Sequence, residues 1–267
     1  MWPVPYESRF ISARFGKTHA ILSGASDAPP LVLLHGFGVN ATMWIPLVED
    51  LSKRYRIIAL DTIGDLGKSV PIVPLKQAAD YNLWLQDVLH ELNIDEVYLA
   101  GFSQGGWIAL NFAIHEPKSI KKLVLISPNA GLVTLNPQFM LRLMTMAIFP
   151  FESLVEKWAK WNSLAWDKTQ PFFNLLSRLT KAGVAGQKPS RPGVMPSTFS
   201  DAELKGINVP VLMLVGYQEV VNDPRAALER GKSLIPDFEG CLIKEASHML
   251  PYDQPQQVCD RILDFCR

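Results

Sequence analysis

Five strand-length runs in this chain are apolar almost without interruption. They are LVLLH (Leu31 to His35), IIALD (Ile57 to Asp61), VYLAG (Val97 to Gly101), KLVLIS (Lys122 to Ser127) and VLMLVG (Val211 to Gly216). A strand with one wet face alternates polar and apolar residues. One that is apolar along its length is covered on both faces, as in a largely parallel sheet between helices. The segments between the runs supply those helices. In YNLWLQDVLHELN, Tyr81 to Asn93, the residues Leu85, Val88, Leu89 and Leu92 fall on one helical face. WIALNFAIH after Gly106 reads as a buried helix. DPRAALERGKSLI opens with Asp223 as an N-cap and Pro224 at the first helical position. An amphipathic helix from about Gln254 closes the chain. Strands alternating with helices predict a doubly wound α/β fold with a mostly parallel sheet, and 267 residues suit one such domain with a modest insertion.

The alternation stops between about Gly131 and Asp201. That region holds helical pieces, a Gly/Pro-rich tail (Gly183 to Pro196) and many large apolar residues: Met140, Met144, Met146, Trp158, Trp161, Trp166, Phe172 and Phe173. It is expected to be a helical insertion, 131–201, into a core formed by 1–130 and 202–267.

Bulk properties exclude several classes of function. Lys plus Arg and Asp plus Glu balance at 26 each, so no charge excess points to nucleic acid or to an anionic membrane. The N-terminus lacks a basic start followed by an apolar stretch, so no secretory signal is read there. The longest greasy stretch, Phe139 to Phe151, is broken by Arg142 and Pro150 and is too short to span a bilayer. Cys241, Cys259 and Cys266 have no paired spacing, which predicts reduced, packed thiols and a cytoplasmic setting. HELN at His90 lacks the second histidine of a zinc helix, so neither a metal nor another cofactor is expected.

The segment Gly64-Asp-Leu-Gly67-Lys68-Ser69 looks like the end of a phosphate-binding loop. That motif needs a first glycine where this chain has Thr62, and a helix directly afterwards. Pro71 and Pro74 disfavour that helix, so the nucleotide reading fails twice.

The chemistry sits elsewhere. In VYLAGFSQGGWIAL a strand runs into Gly101-Phe-Ser103-Gln-Gly105, and a helix follows. This is the context of a nucleophile elbow, where a tight turn presents a serine at the start of a helix. A hydroxyl needs a base to take its proton. Of five histidines, His90 and His115 fall in or at the end of helices and His19 in an early hairpin, where surface or packing roles suffice. His35 ends a strand before glycines. His248, in a loop late in the chain, fits the order serine, acid, histidine. The loop after VLMLVG offers two carboxylates. Glu219, three residues past Gly216, is preferred to Asp223, which already has a role as an N-cap. His35-Gly36-Phe37-Gly38 follows the first strong strand, and its small residues let the backbone approach a substrate at Gly36. The N–H groups of Phe37 and of Gln104 are the expected oxyanion donors. Asn40 is expected to cap a helix that packs Trp44.

Taken together, HGFG, Asp61-x-x-Gly64, GFSQGG, LVGYQE and ASHMLPYDQP resemble the α/β-hydrolase superfamily along essentially the whole chain, and most of all its small, capped bacterial carboxylesterases. Two departures stand out: Gly67 and Ser69 come one residue late in the Asp61 loop, and the acid is glutamate where aspartate is usual. The resemblance implies that 131–201 is a cap over the substrate pocket, with Trp158 and Met144 among its lining residues. It also implies that Ser103 forms an acyl-enzyme, since relatives that open epoxides or remove halogen use aspartate there. The expected substrate is a small to medium, apolar carboxylic ester handled by a monomer or homodimer. Alternatives are cleavage of a carbon–carbon bond next to a carbonyl, with Arg142 or Arg178 as a carboxylate clamp, and a non-enzymatic receptor using the same pocket.

Overall fold

A computed structural model of the chain describes residues 2–149, 151–165 and 194–267. Trp166, Phe172, Phe173, Arg178 and most of the 183–196 tail lie outside the described residues. The strands are β1 (Tyr6–Ala13), β2 (Gly16–Ser23), β3 (Pro30–Leu34), β4 (Arg56–Leu60), β5 (Val70–Pro71), β6 (Val97–Phe102), β7 (Ile120–Ile126), β8 (Val211–Gly216) and β9 (Phe238–Ile243). The described helices, in chain order, are α1 (Ile45–Leu51), α2 (Ala78–Glu91), α3 (Gln104–His115), α4 (Pro137–Ile148), α5 (Glu152–Asn162), α6 (Asp201–Lys205), α7 (Pro224–Leu234), α8 (Leu250–Asp253) and α9 (Pro255–Phe265).

The strands form one sheet in the order β1-β2-β4-β3-β6-β7-β8-β9, with β5 pairing β2 off that path. Among the described residues, every pair from β4 to β9 is parallel, and only the contacts of β2 with β1, β4 and β5 are antiparallel. The five apolar runs are the five adjacent central strands β4, β3, β6, β7 and β8. Their residues divide by parity between two cores. Val32, Leu34, Ile58, Leu60, Leu99, Leu123, Leu125 and Met213 join Trp84 and Leu85 of α2 and Trp107 of α3 on one side. Leu31, Leu33, Ile57, Ala59, Ala100, Val124, Leu212 and Leu214 join Leu47 of α1 and Val258 and Ile262 of α9 on the other. Each strand is apolar at both parities because each parity faces helices.

The expected caps form. Asn40 accepts from Thr42 N–H at the start of a 3-10 turn, Ala41–Trp44, that buries Trp44, and Asp223 accepts from Arg225 and Ala226 N–H at the start of α7. After Ser69 the chain enters β5 rather than a helix, as Pro71 and Pro74 require. All three cysteines are free, and burial pushes the thiols of Cys259 and Cys266 up to about 12. No helix among the described residues is long and apolar enough to cross a membrane, and none of their acidic, histidine and cysteine side chains cluster as metal ligands.

Candidate active site

The site stands at the C-terminal ends of β3, β6 and β8, where loops leave a parallel sheet. The turn after β6 is as tight as its glycines allow. A Cβ on Gly101 would lie 2.2 Å from the Gly105 carbonyl oxygen, and one on Gly105 would lie 2.1 Å from the Leu34 oxygen. Both positions therefore exclude any side chain. Between them Ser103 has φ 53° and ψ −115°, a strained conformation worth on the order of 1–3 kcal/mol, and it sits directly before the first residue of α3.

The structure brings Ser103, His248 and Glu219 together. Ser103 Oγ lies 3.0 Å from His248 Nε2, and His248 Nδ1 lies 2.9 Å and 3.0 Å from Glu219 Oε1 and Oε2. Glu219 Oε1 also accepts the N–H groups of Val220 (2.8 Å) and Val221 (2.9 Å). Burial alone would push this carboxyl upward. The adjacent His248, by charge and by hydrogen bond, and the Val221 N–H outweigh burial and hold it below the ordinary carboxylate value. With the carboxylate accepting, Nδ1 donates to it and Nε2 is left to accept from the serine. Asp223 remains at its helix cap.

The acid and histidine loops are pinned from several directions. Asn222 donates to the carbonyls of Pro128 and Asn129, and Asn136 N–H bonds Val221 O at the entry to α4. Asp253 accepts from Ser247 N–H, next to His248. It also accepts from Ser163 Oγ and from the N–H groups of Leu164 and Ala165, just past α5. One carboxylate thus joins the histidine loop to the end of α5.

On the other side of Ser103 is the HGFG loop. A Cβ on Gly36 would meet the Phe102 ring at 2.9 Å and Ser103 Cβ at 3.2 Å, so the backbone passes close to the serine. Buried His35 donates from Nδ1 to Gly36 O (2.8 Å) and accepts from Thr62 N–H at Nε2 (2.9 Å). In a trans peptide the C=O of Gly36 and the N–H of Phe37 point opposite ways, so this bond also fixes where the Phe37 N–H points. No acceptor among the described residues meets that N–H. Gln104 is the first residue of α3, where N–H groups have no intrahelical acceptor. The stretch that resembled a phosphate-binding loop has a different task. Asp61 accepts the N–H groups of Ala41 (2.9 Å) and Lys68 (2.7 Å), tying the HGFG loop to the turn after β4. Gly67 is required there, since a Cβ would meet the Asp61 carboxyl carbon at 2.6 Å.

Aromatic residues approach the histidine from α4 and α5. The Phe139 ring lies 6.5 Å from that of His248, Trp158 lies 5.1 Å from Phe139, and Trp161 lies 5.8 Å from Trp158. Met144, on α4, is 57% exposed. Phe139 and Asp253 were not singled out from sequence. Phe139 is the first aromatic residue after the Asn136 cap, but nothing local shows that this cap docks on the acid loop.

Comparison with known proteins places the fold in a family. The model of the alpha/beta hydrolase fold family matches residues 29–255. An uncharacterised carboxylesterase, nap, of Bacillus subtilis (strain 168) is 38% identical over 270 residues, covering 99% of this chain and 88% of its own. The carboxylesterase YbfK of the same organism is 35% identical over 277 residues, covering 99% and 89%. The crystal structure of the Bacillus subtilis naproxen esterase superposes with a TM-score of 0.92 at 37% identity, covering all of this chain and 93% of that one. The chain belongs to the α/β-hydrolase fold family, among its carboxylesterase-like members.

Proposed function

We propose that this protein is a serine esterase that hydrolyses small to medium, apolar carboxylic esters through an acyl-enzyme on Ser103. The observation that carries the reading is the unbroken hydrogen-bonded chain from Glu219 through His248 to Ser103, with spacings of 2.9 to 3.0 Å. His248 Nε2 takes the Ser103 proton as Oγ attacks the acyl carbon, and Glu219 stabilises the imidazolium that forms. The oxyanion is received by the N–H groups of Phe37 and Gln104, at the positive end of α3. His248 then protonates the departing alcohol, and water repeats the cycle on the acyl-enzyme. No cofactor takes part.

The insertion 131–201 acts as a cap, with Phe139 and Trp158 as its aromatic wall beside the histidine and Gly36 as the floor. Similarity to an enzyme named for naproxen, an aromatic acid, supports an apolar and aromatic acyl group. A carbon–carbon hydrolase would need a carboxylate clamp; of its two candidates, Arg142 is stacked 4.3 Å over the Trp161 ring, and Arg178 lies outside the described residues. The triad comes from one chain, so a monomer suffices, and the free cysteines suit the cytoplasm.

The test is hydrolysis of p-nitrophenyl acetate and butyrate. Multiple turnover is expected, with kcat lowered by at least about 10³-fold in Ser103→Ala. Release that stops at one equivalent would mean a receptor. No ester turnover, but cleavage of a ring-fission diketone acid, would mean the carbon–carbon reading.

A further inference from the structure

A second serine stands in the same hydrogen-bonded company as Ser103. Ser8 Oγ, on β1, lies 2.8 Å from His19 Nε2, and His19 Nδ1 lies 2.8 Å from Asp61 Oδ2. The corresponding distances in the first site are 3.0 Å and 2.9 Å. The Ala41 and Lys68 N–H groups already point at the Asp61 carboxylate, so it accepts from His19 and Nδ1 is the donor. The Nε2 lone pair then faces the Ser8 hydroxyl. Both members behind the serine are fixed, with the His19 and Asp61 side chains only 3% and 4% exposed. Ser8 itself is exposed.

The surroundings favour an apolar reagent. Tyr6 and Phe10 share the Ser8 face of the strand, one on each side, and are 57% and 52% exposed. The Phe10 ring also lies 5.3 Å from the His19 ring. Among the described residues, β1 is the terminal strand of the sheet and pairs only with β2, so no described strand covers its other edge.

We propose that Ser8 is a second acylatable hydroxyl: a covalent modification site for activated acyl or phosphonyl donors carrying an apolar group, with His19 as its base. The Ser8 Oγ–carbonyl bond forms and the bond to the leaving group breaks. The serine proton passes to His19 Nε2 and then to the leaving group. Ser8 differs from Ser103 in one decisive way. It lies within a regular strand, opposite Ile21, and no helix begins there to offer free N–H groups to an oxyanion. Reaction is therefore confined to good leaving groups. Deacylation must pass the same unassisted oxyanion, so Ser8 keeps its acyl group and acts as an acceptor rather than a turnover site.

The experiment uses full-length Ser103→Ala, which removes the first nucleophile, exposed to an alkyl fluorophosphonate, with the label located by peptide mass spectrometry. The O–P bond forms and the P–F bond breaks. Expected is up to one equivalent on Ser8, at least tenfold faster than on Ser12, an exposed serine on the same face of the same strand. Ser103→Ala/His19→Gln should slow Ser8 labelling by tenfold or more, in line with the contribution of a general base. Since His19 is buried, its variant is read only where the melting curve remains cooperative. The comparison of Ser8 with Ser12 needs no change at a buried position and decides independently. Ser8 labelling no faster than Ser12, or unchanged by His19→Gln in a folded variant, overturns the proposal.

Discussion

Replacing Glu219 with glutamine keeps the shape of the acid and removes its charge. In the native site Oε1 accepts from Val220 N–H, Val221 N–H and His248 Nδ1, and Oε2 lies 3.0 Å from the same ring nitrogen. A glutamine has one oxygen and one NH₂. If the oxygen stays with the two backbone N–H groups, the NH₂ faces Nδ1, and the imidazole must carry its proton on Nε2. That nitrogen, 3.0 Å from Ser103 Oγ, can no longer accept the serine proton. Enforcing the wrong tautomer in such a triad costs about 10⁴ in kcat, which is roughly 5 kcal/mol of transition-state stabilisation. Folding should change far less. The lost charge-assisted bonds are offset by relief from burying a carboxylate, leaving a net change within about 2 kcal/mol. The control is Asp223→Asn, which keeps an N-cap and should cost under about 1 kcal/mol with kcat unchanged. Initial rates on p-nitrophenyl butyrate give kcat and KM, and melting temperatures report folding. Glu219→Gln retaining more than a tenth of wild-type kcat, with Asp223→Asn collapsing instead, would refute the assignment of the acid.

Other outcomes follow from the same geometry. Gly105→Ala places a methyl 2.1 Å from the Leu34 carbonyl, and should cost about 3 kcal/mol or more, seen as a lower melting temperature or loss of soluble protein. Ser103→Gly should melt higher than Ser103→Ala, because glycine relieves the strain at φ 53°; equal or reversed melting would mean the turn is not strained. Asp253→Ala leaves the buried Ser163 and Ser247 donors without their acceptor. It should lower stability by about 3 kcal/mol and reduce kcat through the His248 loop. The Glu219 carboxyl is held below its ordinary value of 4.5 in the fold. Its contribution to stability is therefore full above that value and is lost as pH falls through the lowered one. The stability difference between wild type and Glu219→Gln, measured in urea, should decline as pH falls below 4.5.

The architecture was legible wherever a local rule and the fold agree. Continuous apolar runs required cover on both faces, and the five runs are the five adjacent central strands. Asp223 and Asn40 acted as caps because capping involves only the next three residues. Pro71 and Pro74 blocked a helix, and the loop ahead of them serves Asp61 rather than a phosphate. The spacing of Gly101, Ser103 and Gly105 named the elbow because its steric demand is purely local.

What the sequence determined by itself was therefore the kind of fold and the residue types competent for the chemistry. It left the acid as a preference, since choosing between Glu219 and Asp223 requires knowing which side chain reaches an imidazole 29 residues later in the chain. It gave no sign that Asp253 joins the end of α5 to the histidine loop, that Phe139 stands beside His248, or that Ser8, His19 and Asp61 line up. Those relations form between segments far apart in the chain, and their hydrogen bonds depend on ångström-scale placement that only the packed sheet and its helices supply.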